Sequence, residues 1–412
     1  MSAGLRAGYK QTEVGVIPED WDTRTLGEIG EALIGLTYKP EDVRRYGTLV
    51  LRSSNIQEGV LCFDDNVFVE KEINERIMVR PGDILICVRN GSRNLIGKTA
   101  LLDERTVGMT FGAFMAVFRS SAGKFVNYLF QSDILKRQIN EHLGATINQI
   151  TNGSINSFQI PLPPTDTEQR TIAAALSDVD ALLGGLDSLI AKKQGLKVAA
   201  MQQLLTGQTR LPGFSGEWEV KRLDELADIR SGGTPSTTIS QFWDGNIPWC
   251  TPTDITALKG TKFLSETTRM ITPQGLKASS AEMIPANSIV MTSRATIGEC
   301  AINSIPVSTN QGFKNFIPFD STDADFLYYL LTTQKQGFIT LCGGSTFLEI
   351  GKTQLIAYKV RLPSTKDEQT AIAAVLSDMD TELAALQARR SKTQALKQAM
   401  MQELLTGRIR LI

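Results

Sequence analysis

A catalyst needs a nucleophile with its base, or a set of metal ligands, and this chain is poor in both. His142 is its only histidine in 412 residues, and the matching position of a second, similar half is Cys342. A histidine-based triad or metal site repeated in each half is therefore excluded. Cys62, Cys87, Cys250, Cys300 and Cys342 are scattered with no C-x-x-C pair, which reads as reduced thiols and not as a zinc clip. Two Gly-Lys-Thr triplets resemble the end of a phosphate loop, which needs four residues between its glycines. Gly91 and Gly97 enclose five and Gly344 and Gly351 enclose six, so nucleotide binding is not expected. No Asn/Asp-Pro-Pro-aromatic tetrad for amino-methyl transfer and no Gly-rich strand–helix turn for S-adenosylmethionine is present. The expectation is a binder that is not an enzyme on its own and holds no metal or cofactor.

The residue types that read DNA bases are present on loops. Arg suits guanine, Asn and Gln suit adenine, and Ser, Thr and Asp suit cytosine or mixed edges. The first half offers Arg52, Ser53, Ser54 and Asn55, then Arg89, Asn90, Ser92, Arg93 and Lys98, then Thr146, Asn148 and Gln149. The second offers Thr251, Thr253 and Asp254, then Ser293 and Arg294, then Asn310, Gln311 and Lys314, and finally Ser345 and Thr346. Loops are polar for ordinary reasons too, so parallel placement in both halves carries the reading. Between Arg76 and Lys98 five cations face the single acid Asp83, although the net charge of the chain is only -1.

These loops need a frame, and the frame is repeated. Residues 162–211 return at 362–411 without a gap, with more than half of the paired positions identical. An internal repeat of this length means two copies of one structural unit. Thr165…Glu168 and Thr365…Glu368 match a capping box that opens a helix. Ile172, Leu176, Val179, Leu183, Leu186 and Ile190 then recur at alternating steps of four and three, as do Ile372, Leu376, Met379, Leu383 and Leu386. That seam belongs to a helix packed along its length against another. It weakens at Lys193 and Lys197 and stops at Gly207 or Gly407. Gly184-Gly185 and Ala384-Ala385 are expected where the two rods approach closely, or at a kink.

The remaining segments are β-rich, with strands expected at 83–88 and 288–292 and helical patches at 125–142 and 325–342. Trp21…Leu26 resembles Trp218…Leu223, and Ser92-Arg93…Ile96-Gly97 resembles Ser293-Arg294…Ile297-Gly298. The fold expected is α+β: a mixed domain at 1–160, a helical region at 161–212, a second mixed domain at 213–360 and a second helical region at 361–412, the helices pairing antiparallel. No run approaches the roughly 20 apolar residues that span a membrane, and no signal-peptide core is visible. A cytoplasmic protein with no membrane partner is expected.

Two diverged domains, each followed by a long helix opening Glu168-Gln169…Ile172-Ala173-Ala174…Leu176-Ser177-Asp178…Asp180, or Glu368-Gln369…Asp380, resemble the specificity subunits of type I restriction–modification systems. Pro248-Trp249…Thr253-Asp254-Ile255 resembles their target-recognition domains. The resemblance implies a bipartite, asymmetric double-stranded DNA target, with one half read by each domain. It implies two adenine-N6 methyltransferase subunits docked on the helical pair, which also sets the spacing of the half-sites. It further implies nuclease/translocase subunits that join for restriction, with S-adenosylmethionine, ATP and Mg²⁺ on the partners and none on this chain. A coiled-coil adaptor that binds proteins and not DNA is the alternative reading of the seam alone.

Overall fold

The computed structural model describes residues 7–143, 148–342 and 349–411. Thr146, Ser345 and Thr346 lie outside the described residues. The chain divides into two compact units that are not consecutive stretches. One holds the residues up to Asp187 together with those from Arg389 onward, and the other is Ser188–Ala388. Both boundaries fall inside the long helices Asp166–Leu204 and Lys366–Leu404, of 39 residues each. At about 1.5 Å per residue each is a rod of about 58 Å.

In the first unit a four-stranded sheet runs Thr99–Leu101, Ile84–Cys87, Met115–Arg119, Glu31–Ile34. A second sheet runs Thr110–Phe111, Thr48–Leu51, Phe68–Val69, Val43–Arg44. The second unit repeats the plan. Ala227–Ser231, Phe313–Pro318, Ile289–Thr292, Cys300–Asn303 and Phe263–Leu264 form one sheet, and Arg269–Ile271, Trp243–Cys250 and Ser308–Thr309 form the other. In each unit a closing strand, Gln159–Leu162 or Lys359–Pro363, pairs with the entering strand Asp22–Thr25 or Trp218–Arg222 and delivers the chain to its long helix.

Each seam begins as a docking face for its own domain. Ile172 and Leu176 are buried among Phe125, Leu129, Met401, Leu404 and Leu405 in the first unit. Ile372 and Leu376 are buried among Phe326, Leu330, Leu204 and Leu205 in the second. The helical patches supply the other side: Gly123–Gln131 and Asp133–Leu143, then Ala324–Thr333 and Lys335–Thr340. Leu183, Leu186 and Leu383 are also buried, with Val179, Met379 and Leu386 half-buried.

The weak point of the seam is an ion-pair site. In the first unit Lys397 reaches Asp180 at 2.7 Å and Gln131 at 3.1 Å, while the Tyr128 hydroxyl donates to Asp180 at 2.9 Å. In the second, Lys197 pairs with Asp380, which accepts from the Tyr329 hydroxyl at 2.6 Å, and Lys193 pairs with Glu382 at 2.6 Å. Partner numbers fall along one helix as they rise along the other, so within each unit the helices run antiparallel. Lys397 and Lys197 also lie 5.5 Å from the centres of the Tyr128 and Tyr329 rings.

Two expectations about the long helices, one at their starts and one at mid-helix, need correction. Thr165 Oγ1 does accept from Glu168 N at 3.2 Å. The Glu168 carboxylate, however, is buried against Arg410, whose Nη2 reaches it at 2.8 Å, instead of closing the capping box. Glu368 likewise takes Arg210, at 2.7 Å, and the Trp218 indole N–H at 3.4 Å. Gly184 and Gly185 are exposed, and a Cβ on either would meet nothing within 4 Å, so they mediate no close approach. Gly207 and Gly407 do end the helices with left-handed φ of 72° and 70°.

Candidate nucleic-acid interface

The first domain gathers its polar loops around an open cleft of about 1040 Å³. Arg52, Ser53, Ser54, Arg89, Asn90 and Asn148, chosen above by residue type alone, all line it, with Tyr38, Asp65, Val67 and Phe114. Arg52 is braced by Asp65 at 2.7 Å, and its buried Nε has no hydrogen-bond partner. The Ser54 hydroxyl is also buried and unpartnered. The Arg89 guanidinium lies over the Phe114 ring, 5.1 Å from its centre, and that ring is 60% exposed. Asn90 donates to Ser53 Oγ at 3.3 Å and accepts from Ser92 N at 3.0 Å, tying two of the loops together. Gln149 is exposed and its backbone bridges that of Arg89.

Other candidates are spent on the fold. Asn55 is fully buried; it accepts from Arg52 N at 2.8 Å and donates to Cys62 O at 3.0 Å. Asp254 occupies the same place in the second domain, accepting from Thr251 N at 2.7 Å and from Thr268 N at 2.9 Å. Burial alone would push Asp254 up, but the donors from Thr268 and Thr251 hold its carboxyl below the usual range. Lys98 donates to Ile56 O at 2.7 Å and Arg93 to Asn140 O at 3.3 Å. Arg76 pairs with Glu31 at 2.8 Å and Asp83 with Arg119 at 2.7 Å, so the basic stretch is not one face.

Backbone pairing also revises which arginines correspond. Val88 N donates to Phe114 O and Ile150 N to Val88 O, as Ser293 N donates to Gly312 O and Ile350 N to Ser293 O. The bridges Arg89↔Gln149 and Arg294↔Glu349 follow. The counterpart of Arg294 is therefore Arg89 and not Arg93, because the first domain has a longer loop before its matching glycine, Gly97.

In the second domain Thr253 and Arg294 are exposed, Arg294 paired with Glu349 at 2.9 Å. Asn310 Oδ1 accepts from Gly312 N at 2.9 Å, and exposed Gln311 accepts from the Thr234 hydroxyl. Ser293 is buried with its hydroxyl unpartnered. Lys314 is only 5% exposed, and burial holds its ammonium below the ordinary lysine range against the pull of Glu349. Residue types alone had not singled out Phe114, Trp243 or Arg269. Their signal is an aromatic at or beside a strand start, exposed at Phe114 and half-buried at Trp243, or a cation standing across a strand pair from a buried tryptophan, as Arg269 does from Trp249.

His142 is exposed and shares a hydrogen bond of 2.8 Å with Ser154 Oγ. Among the described residues no group of three or more His, Cys, Asp or Glu is placed to hold a metal ion. Nor is any helix among them long and apolar enough to cross a membrane.

Comparison with known proteins places this architecture. The model of the type I restriction modification DNA specificity domain matches twice, over residues 18–190 and 215–395. The MjaIX specificity subunit of Methanocaldococcus jannaschii is 39% identical over 175 residues, which span 42% of this chain and 40% of that relative. The putative MjaX specificity subunit of the same organism is 27% identical across 98% of this chain and 96% of its own. A solved chain from a study of type I R-M complex assembly superimposes with a TM-score of 0.60 at 20% identity, covering 95% of this chain and 99% of that one. The type I S subunit from M. genitalium gives 0.59 at 16% identity, covering 97% of each. With both recognition domains and both long helices accounted for, the chain belongs to the type I restriction–modification DNA specificity family.

Proposed function

We propose that this chain is the DNA-reading subunit of a type I modification complex, each domain recognising one half of a bipartite, asymmetric target. The observation that carries the reading is the first-domain cleft, where Arg, Ser and Asn side chains from three separate loops meet around exposed Phe114. Those are the groups that pair with base edges in a major groove. A net charge of -1 is low for a lone DNA binder, and partners that share the phosphate contacts remove that difficulty. The long helices dock two adenine-N6 methyltransferase subunits, which hold S-adenosylmethionine and flip the target base. Nuclease/translocase subunits that use ATP and Mg²⁺ attach through them. The chain itself catalyses nothing.

The test is to co-express the chain with the methyltransferase subunit of its own system and map the methylated adenines. A motif split by an unspecified spacer is expected. Exchanging residues 1–160 for those of another member changes one half of that motif and leaves the other. If both halves persist unchanged, recognition does not lie in the first domain.

A further inference from the structure

The second domain carries a cation that neither its loops nor its fold explains. Trp243 and Trp249 meet edge to face, with ring centres 5.0 Å apart and planes at 83°. Arg269 stands directly across the strand pair from Trp249. Its guanidinium lies 3.9 Å from the centre of the Trp243 ring and 5.2 Å from that of Trp249. The residue is exposed, and among the described residues no carboxylate forms an ion pair with it.

Register shows where this group points. Ile247 pairs with Ile271 as Thr48 pairs with Val69, so Arg269 takes the position of Val67, a residue that lines the first-domain cleft. Trp249 donates its indole N–H to Gly233 O at 3.0 Å. Gly233 N in turn bonds Thr309 O as Leu36 N bonds Phe111 O, and Leu36 is another cleft-lining residue. Next to Arg269, Thr268 holds Asp254 and through it the Thr251 loop.

We propose that Arg269 is a specificity-determining residue that takes the O6/N7 edge of a guanine in the half-site of the second domain; this rests on the DNA-reading role proposed above. Stacking on an indole face orients a guanidinium without consuming its N–H donors. A planar fork fixed in this way presents two parallel donors, which match guanine in the major groove. A phosphate contact needs only a point charge, which a lysine supplies equally well.

The experiment maps methylated motifs for the co-expressed complex carrying Arg269→Ala, Arg269→Met or Arg269→Lys, beside the unsubstituted chain. Met keeps a cover over Trp243, and an intact first half-motif reports a folded complex in every case. All three variants are expected to lose discrimination at one G·C pair of the second half, about tenfold or more. Retention of every position in the Ala and Met variants overturns the proposal. So does a Lys variant that keeps every position of the motif while Ala and Met lower methylation equally on all sequences, which marks a phosphate contact. A native complex that yields no split motif defeats the underlying DNA-reading role instead.

Discussion

Asp180 and Lys397 stand on different long helices and meet at 2.7 Å, with the lysine side chain 10% exposed and the aspartate 39%. The same pair recurs as Asp380 and Lys197. Burying an ammonium in a seam is costly unless it is met by charge and hydrogen bonds. Here Asp180, Gln131 and the face of Tyr128 all meet it. Burial and the neighbouring Asp180 both push the Tyr128 hydroxyl up, so it stays a proton donor at ordinary pH. An apolar side chain here would allow the helices to slide, whereas this pair holds only in one register.

Replacing Lys397 tests that role. Lys397→Met is expected to lower stability by about 1–3 kcal/mol, since it strands a partly buried carboxylate whose exposure moderates the penalty. The double variant Asp180→Asn/Lys397→Met recovers part of the loss. Thermal unfolding of the four proteins closes the cycle; additive losses would show that the two residues act independently.

Gly184 and Gly185 give a prediction of opposite sign. Both are exposed inside a helix with open space at the Cβ position. Gly185→Ala is expected to stabilise by about 0.5–1 kcal/mol through helix propensity and a less disordered unfolded chain. Gly407→Ala is expected to destabilise, since it combines φ of 70° with a Cβ placed 2.6 Å from Pro18 Cδ. A lower melting temperature for Gly185→Ala would restore a packing role for the pair.

Among the basic loops of the first domain, Arg89 and Arg93 separate. Arg89→Ala is expected to relax one position of the first half-motif, with about 1–3 kcal/mol of discrimination lost. Arg93→Ala leaves the motif unaltered, because its guanidinium serves Asn140 O. Methylome mapping of both variants decides; a relaxed motif in Arg93→Ala alone reverses the assignment.

The helix faces can be ranked in the same way. Leu176→Ala empties a fully buried site shared with Phe125 and Leu404 and is expected to cost about 2–5 kcal/mol. Leu182→Ala, on a side chain 44% exposed, is expected to stay within about 0.5 kcal/mol. Equal denaturation midpoints would contradict the orientation of the helix.

The rods were legible in the sequence because a heptad seam is a local periodicity, visible in one window of chain. The break at Lys197 was visible as well, but its reason was not, since Asp380 lies 183 residues away. Asn55 and Asp254 look like base-edge groups in the sequence for a chemical reason: the oxygen that accepts from a base also accepts from a backbone N–H at a turn, and sequence does not say which it does. In the sequence Arg294 aligns with Arg93 because the shared Ile-Gly lies at the far end of a loop whose length differs. Arg269 gave no motif at all, and only strand pairing brings it to Trp249.

The first unit is assembled from its opening residues and from a segment that begins at Arg389. During translation the second unit, from Ser188 to Ala388, is synthesised whole before that segment emerges. Until then Ile172 and Leu176 lack Met401, Leu404 and Leu405, and Glu168 lacks Arg410. A nascent chain therefore carries an open apolar face for the time it takes to make an entire second domain. A message cut short before codon 389 yields a chain that lacks Met401, Leu404 and Leu405, the residues that seal this face.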